Sequence, residues 1–294
     1  MFVRPDRPGS IRYRTVYVLN TTGLTFFFLR GFIAAVHSHT ANTPFAATTV
    51  QHFSQNEEGH MIWTYIPVSS TDTLLRIGVG GAWQRQMEIG TKLTGTYLFG
   101  PYQSYTDTDD VSGNEPSVLI HNVPTKRAGG SLGIVTKHNF ESERFLSFPR
   151  YHNDDEDPLG RDCIHTVAPA KNITHSDVYY NRRNGHCKGL LLKYANDAQR
   201  AVSQCRIGID PFKAYEEPSW FCYRDICDPE TFKDTGSCVV ECTTGTNNHE
   251  HEPSDIGDWE CMRARAGLYL EFLCDDKSDT FGMSIQHDEG ENDD

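Results

Sequence analysis

Short apolar runs that border glycine, proline or asparagine recur along this chain, and they restrict it to a β-rich fold. Examples are residues 60–66 (HMIWTYI), 118–123 (VLIHNV) and 132–136 (LGIVT). Runs of this length, rich in aromatic and β-branched side chains, favour strands. We therefore expect a mainly β fold, antiparallel and sandwich-like, with minor helix. An α+β fold and a partial β-barrel are the alternatives.

Composition divides the chain into five segments. Residues 1–55 are expected to be a partly irregular N-terminal extension, in which the apolar residues 24–36 could form a short buried helix. Residues 56–150 are the β-rich first half and residues 163–286 a cysteine-rich β second half. Between them, residues 151–162 contain four consecutive acids beside a proline and a glycine, which predicts an acidic loop or linker. Residues 287–294 are expected to be an acidic, disordered tail.

The formal net charge is −13, and the excess of acidic residues lies in the second half of the chain. Nonspecific binding to nucleic acid needs basic stripes, so we expect no nucleic-acid partner. We also expect no transmembrane segment, because Arg30 interrupts the N-terminal apolar stretch and a span needs about 20 apolar residues. That stretch follows several arginines, the order found in a signal peptide, but no clean cleavage site follows it. An intracellular location is favoured, with secretion as the alternative.

The clearest local unit is a predicted hairpin, made by residues 189–194 and 198–206. A turn centred on Asn196 pairs Leu190 with Val202 and Lys193 with Gln199. A two-residue turn would instead set Lys193 opposite an arginine, which is a like-charge clash.

The same register sets Cys187 directly across from Cys205. Cross-strand neighbours lie about 4.5–5.5 Å apart at Cα, which is within reach of a disulfide. Cys187 and Cys205 are therefore the disulfide candidates.

All nine cysteines lie at or after Cys163, and one group of them is accompanied by histidines. Thiolates and imidazoles at such spacings can form a tetrahedral zinc site. The alternatives are disulfides, or cysteines buried as small apolar side chains with exposed histidines. The candidate zinc ligands are Cys238, Cys242, His249, His251 and Cys261.

Aromatic residues near the cysteines are candidates for contact with a ligand, since an aromatic ring can stack on the apolar face of a sugar. The alternative is that they anchor the core or a loop. This hypothesis implies a partner that is a protein or a glycan of unknown identity. The candidates are Trp220, Phe221, Tyr223 and Trp259.

Catalytic motifs are missing: there is no G-x-S-x-G, Walker loop, dinucleotide glycine fingerprint or H-E-x-x-H. His165, and His175 with Asp177, are acid–base candidates whose mutual geometry the sequence does not fix. The reaction or ligand is therefore unknown, and three functions stay open. The first is a noncatalytic binding or interaction module, the second a zinc-stabilised structural domain, and the third a hydrolase or thiol-dependent enzyme.

Four sequence blocks resemble those of a family of uncharacterised proteins from filamentous ascomycete fungi. The blocks are residues 185–194 (GHCKGLLLKY), residues 199–206 (QRAVSQCR), Gly100-Pro101-Tyr102 and residues 257–261 (GDWEC). The resemblance extends over about residues 60–275. The chain differs from the family at the hairpin turn, where the family carries Asn-Gly and this chain has Asn196-Asp197. The resemblance implies a fungal source and a genuine hairpin; the family has no established activity, so it implies no catalytic residues.

Overall fold

The structure, a computed structural model, describes residues 13–51, 53–80, 86–101, 111–122, 132–136, 163–227, 234–245, 251 and 258–285. All strand pairings in these ranges are antiparallel. The strands form five sheets, and none of the sheets in the described ranges closes into a barrel. The expected mainly antiparallel β fold with minor helix is confirmed.

The first half of the chain supplies ten strands and two short helices to the described structure. They are β1 (Tyr13–Tyr17), β2 (Gly23–Leu29), β3 (Phe32–His39), α1 (Ala47–Val50), α2 (Gln55–Gly59), β4 (Met61–Pro67), β5 (Leu74–Gly80), β6 (Gln86–Thr91), β7 (Gly95–Pro101), β8 (Val111–Asn114), β9 (Pro116–Asn122) and β10 (Leu132–Thr136).

The second half supplies a further ten strands. They are β11 (Ile164–Pro169), β12 (Ile173–Tyr180), β13 (Cys187–Tyr194), β14 (Gln199–Ser203), β15 (Phe212–Glu216), β16 (Trp220–Cys227), β17 (Asp234–Thr243), β18 (Glu260–Arg263), β19 (Leu268–Cys274) and β20 (Asp279–Ile285).

The sheets pack on two main cores. Strands of the sheets β1-β9-β10, β3-β2-β4 and β20-β19-β11-β7-β6-β5-β8 enclose the first core. The sheets β14-β13-β12-β15 and β17-β16-β18 enclose the second, together with residues of β19 and β20. Strand β19 contributes to both cores, so the seven-stranded sheet connects the two halves of the chain.

Residues 24–36 form the β2–β3 hairpin, and the expected helix there is wrong. Phe26, Phe27 and Phe28 are all fully buried, with alternate side chains entering two different apolar clusters. The sequence of a strand that is covered on both faces is a continuous apolar run. Periodicity cannot distinguish such a run from a buried helix. Arg30 and Gly31, both at positive φ, form the turn. These strands lie in the core and are not a peripheral extension.

The predicted β13–β14 register is confirmed. Leu190 pairs with Val202 and Lys193 with Gln199. Asp197 adopts φ 63°, the left-handed conformation that closes a three-residue hairpin loop. The chain therefore keeps the hairpin without glycine in its turn.

Two predictions lie outside the described residues, namely the acidic loop or linker at 151–162 and the acidic tail at 287–294. Among the described helices, none has the length and apolarity to cross a membrane.

Candidate metal centre

The sheet β17-β16-β18 places three polar side chains on one face. Cys222 lies on the central strand and pairs with Cys261 on β18 and with Glu241 on β17. Residues directly opposite each other on antiparallel strands point to the same face of the sheet. Cys222 is fully buried there, whereas Cys261 is half-buried.

His251, from the connection between β17 and β18, completes a cluster of side chains that could bind a metal ion. Its Nε2 lies 3.3 Å from Cys261 Sγ. The ligand atoms of Cys222, His251 and Cys261 all lie within 4.8 Å of one another. A tetrahedral zinc ion with Zn–S of about 2.3 Å and Zn–N of about 2.0 Å holds its ligand atoms about 3.6–3.8 Å apart. The separations in the cluster, 3.3 Å between Cys261 Sγ and His251 Nε2 and at most 4.8 Å for the other pairs, bracket those of a zinc site, so small side-chain shifts would bring all three ligand atoms to zinc distances.

The His251 ring is oriented by neighbours on its other sides. Its Nδ1 faces the Glu241 carboxylate at 3.9 Å. The indole of Trp259 stacks on the imidazole, with centroids 4.1 Å apart and planes inclined by 13°. The Arg224 guanidinium lies over the Trp259 ring at 5.0 Å. A carboxylate behind the second nitrogen of a ligating histidine is the usual outer partner of zinc, because it fixes the tautomer and raises the basicity of the ring.

The electrostatics of the cluster follow from burial. Burial raises the pKa of the Cys222 thiol, and the hydrogen bond and charge of the adjacent Cys261 raise it further. The Cys222 thiol therefore resists ionisation by itself, since it is buried beside a second sulfur atom. A bound divalent cation favours ionisation instead, because a cysteine binds a metal as its thiolate. Metal binding at this cluster would therefore release protons.

The expected zinc ligands divide between the two faces of the sheet. His251 and Cys261 lie in the cluster, but Cys238 and Cys242 do not. Both point from β17 into the second core, where Cys238 is fully buried and Cys242 lies 3.9 Å from Ser176 Oγ. The alternation of side chains along a strand is the reason, because it places positions 238 and 242 on the face opposite Glu241. His249 lies outside the described residues.

Sequence reasoning did not include Cys222 in the metal set. Its partner Cys261 is remote in sequence, and only the β16–β18 pairing brings the two together. The available signal was the alternation within residues 238–242 (CVVEC), where Glu241 marks the polar face and the cysteines share the apolar one.

No protein-family model and no curated protein sequence matches the chain. The resemblance to fungal proteins therefore stays a prediction.

The candidate disulfide residues Cys187 and Cys205 are unbridged, and they belong to different apolar clusters. The β12–β13 pairing skips Lys188, so the alternation of β13 reverses there. Cys187 consequently joins Leu190 on the face of the second core. Cys205 packs instead with Ala201 on the other face. The confirmed backbone register therefore does not bring the two sulfur atoms together.

The four candidate aromatics do not form a common exposed platform. Phe221 is fully buried in the second core, and Tyr223 packs against Phe281 at 5.3 Å. Trp220 is half-buried and, as the neighbour of Phe221 in β16, points to the opposite face of the strand. Trp259 stacks on the His251 ring. The structure thus brings together only Trp259 and the metal cluster.

The histidines considered for acid–base catalysis are engaged in structural contacts. His175 Nε2 lies 2.8 Å from Asp177 and its Nδ1 lies 3.0 Å from Glu216. Desolvation lowers the pKa of His175, but these hydrogen bonds and charges outweigh it and raise the pKa overall. His165 is buried beside Glu271, and burial lowers its pKa to about 4. A catalytic base needs a nitrogen directed at the substrate, so these contacts give the enzyme hypothesis no support.

Proposed function

We propose that this chain is a noncatalytic, zinc-stabilised β domain in which Cys222, His251 and Cys261 bind the metal. The main support for this proposal is that two thiols and one imidazole lie close together on one face of the β17-β16-β18 sheet. Thiolate and imidazole ligands together suit zinc better than the hard cations calcium and magnesium. The three side chains leave one tetrahedral position, which structural zinc sites fill with a fourth side chain.

The competing chemistry at this position is a disulfide between Cys222 and Cys261. Directly paired cysteines on antiparallel strands lie within disulfide reach. Two observations favour the metal. The imidazole nitrogen lies 3.3 Å from Cys261 Sγ, and the carboxylate of Glu241 faces the other nitrogen of the same ring. A disulfide makes no use of either group.

The ion supports the fold by fastening a connecting segment. His251 belongs to the chain between β17, which ends at Thr243, and β18, which begins at Glu260. Zinc joins that connection to the middle strand of the sheet. Because the free energy of metal binding is added to that of folding when the unfolded chain has no formed site, zinc stabilises the sheet against unfolding.

The test is the zinc content of the purified full chain, measured by inductively coupled plasma mass spectrometry without chelators. We expect about one zinc ion per chain, as for other structural sites. Cys261→Ser and His251→Ala should lose most of it. Cys205→Ala is the matched control, because it removes a thiol outside the cluster and should leave the zinc content unchanged.

Peptide mapping of the nonreduced protein separates the metal from the disulfide. Cys222 and Cys261 should appear as unlinked thiols that zinc protects from alkylation. Two results would overturn the proposal: a Cys222–Cys261 linked peptide as the main form of the protein as purified, or fully reduced wild-type protein that takes up no zinc after refolding with excess metal. His251→Ala, at a half-buried position, keeps the test meaningful if the cysteine variants fail to fold.

A further inference from the structure

A cleft lies where three turns of the β-sheets meet. Leu93 and Thr94 come from the β6–β7 turn, and the second wall consists of Pro169 at the end of β11 with Lys171 and Asn172 from its connection to β12. The third wall comes from the loop of the β13–β14 hairpin, which contributes Ala195, Asn196 and Ala198. The cleft has a volume of about 480 Å³. That lies within the range of roughly 300–1,000 Å³ that is typical of small-molecule sites.

The three turns are held against one another by hydrogen bonds. Asn196 Nδ2 donates to Leu93 O at 3.3 Å, and Thr94 Oγ1 donates to Gln199 O at 3.2 Å. The Ala195 amide donates to Asn172 O at 2.9 Å. These bonds link all three turns, so the walls of the cleft are set in place before any ligand arrives. Preorganised walls reduce the ordering cost of binding.

A further hydrogen bond holds Tyr194, which forms the inner wall of the cleft. The Tyr194 hydroxyl donates to Pro169 O at 2.9 Å, and Tyr194 is itself buried. Leu93, Pro169 and Ala198 give the lining an apolar component next to its polar groups.

The charge of the lining is opposite to that of the protein. The net charge of the chain is −13, yet the charged residues among the described lining residues are Lys171 and Arg200, both cationic. Arg200 is buried, and its Nη2 donates to Thr96 O at 3.4 Å, which orients the guanidinium. Lys171 is exposed at the outer part of the cleft. A cation in a partly enclosed site attracts an anion more strongly than one in open solvent.

Two carboxylates near the turns are engaged elsewhere. Asp72 accepts hydrogen bonds from the Leu93 amide at 2.8 Å and from Thr91 Oγ1 at 2.6 Å. Asp197 pairs with Lys193 at 3.3 Å. Neither residue lines the cleft, and each carboxylate is already paired with donor groups or with a lysine, which partly offsets its charge.

We propose that this cleft binds a small organic anion, in which one carboxylate or phosphate group is carried on an apolar body. Arg200 and Lys171 contact the anionic group, and the apolar body packs against Leu93 and Pro169. The guanidinium suits either group, because its planar fork of donors matches carboxylate and phosphate oxygens. This site is independent of the proposed zinc and goes beyond a purely structural role.

The test uses the full chain, with amide chemical shifts and titration calorimetry as readouts. The probes are benzoate, phenyl phosphate and neutral benzyl alcohol, each titrated to about 10 mM, which covers millimolar dissociation constants. We expect at least one of the two anions to bind and to shift the amides of residues 93–94, 171–172 and 195–198. Benzyl alcohol, which keeps the apolar ring and lacks the charge, should bind at least about tenfold more weakly.

Two variants and a matched control locate the site. Lys171→Gln, at an exposed position, should weaken anion binding about five- to tenfold, and Arg200→Gln about tenfold or more. Lys277→Gln removes an exposed lysine from the β19–β20 turn, outside the cleft, and should leave anion binding unchanged. The proposal fails if neither anion binds, if benzyl alcohol binds equally well, or if Lys171→Gln and Lys277→Gln behave alike. Because Lys171 is exposed, its variant carries the test even if Arg200→Gln does not fold.

Discussion

At the scale of single residues, the metal cluster depends on which nitrogen of His251 meets which neighbour. Nε2 faces the Cys261 sulfur, and Nδ1 faces Glu241. A metal bound at Nε2 requires the proton to sit on Nδ1, where it points at the carboxylate. At 3.9 Å the carboxylate lies beyond hydrogen-bonding distance of Nδ1, so it favours this tautomer through its negative charge and not through a hydrogen bond.

Glu241→Gln should lower the zinc affinity about 10- to 100-fold while leaving the ligand set intact, because the amide no longer stabilises positive charge on the imidazole. Competition against a chromophoric zinc chelator measures the change. Glu260→Gln is the matched control on the neighbouring strand, where the carboxylate accepts from the Tyr223 hydroxyl at 2.7 Å. Equal affinities for the two variants would contradict the assigned role of Glu241.

Residue types near the site were predictable from the sequence, but the partners were not. His251 and Cys261 were predicted because thiols and imidazoles are close in sequence there. Cys222 was missed because its neighbour in space is set by strand pairing. Cys238 and Cys242 were wrongly grouped with the ligands, because spacing along a strand does not show which face the core covers. That face is decided by packing against β12, β13 and β20.

At the scale of elements, short apolar runs predicted strands such as β4, β9 and β10, and local turn chemistry predicted the register of one hairpin. The β13–β14 register was predictable because the Asn196 turn and the like-charge clash admit only one pairing. The β2–β3 hairpin was not predictable in the same way, since its strands are covered on both faces and show no alternation. The structure does not bring Cys187 and Cys205 together, because one skipped residue in β13 reverses the face of Cys187.

Gly189 is required where β13 and β14 approach each other. A Cβ at this position would lie 2.6 Å from Val202 O and 2.9 Å from the Gln204 nitrogen, and both are backbone atoms that cannot rotate away. We expect Gly189→Ala to lower the free energy of unfolding by about 1–3 kcal/mol, as measured by urea denaturation. Gly282→Ala is the control, because its Cβ would meet nothing within 4 Å. It should change stability by less than about 0.5 kcal/mol, and a loss as large as that of Gly189→Ala would contradict the steric account.

At the scale of the whole molecule, buried histidines make stability depend on pH. Burial lowers the pKa of His39 to about 4, partly opposed by its hydrogen bond to Pro44 O and assisted by His37. The unfolded chain therefore binds more protons than the folded chain between pH 6.5 and about 4. His39 contributes its full stabilisation above pH 6.5, and this is lost as the pH falls through that window.

Replacing His39 with Gln should therefore flatten the fall in unfolding free energy between pH 7 and pH 4.5, by on the order of 2 kcal/mol. Burial raises the pKa of the Glu271 and Asp279 carboxyls, which acts in the opposite sense, so the measured quantity is the difference in slope between variant and wild type. Parallel slopes for His39→Gln and wild type would contradict the assignment.

The central claim is that zinc is bound by two sulfur atoms and one imidazole nitrogen on the β17-β16-β18 sheet. X-ray absorption at the zinc edge of the purified protein tests it most directly. We expect two sulfur ligands at about 2.3 Å and two nitrogen or oxygen ligands at about 2.0–2.2 Å, with one of the two sulfur ligands lost in Cys222→Ser and both kept in Cys205→Ala. A zinc shell of nitrogen and oxygen alone, or a sulfur shell that survives Cys222→Ser unchanged, would contradict it.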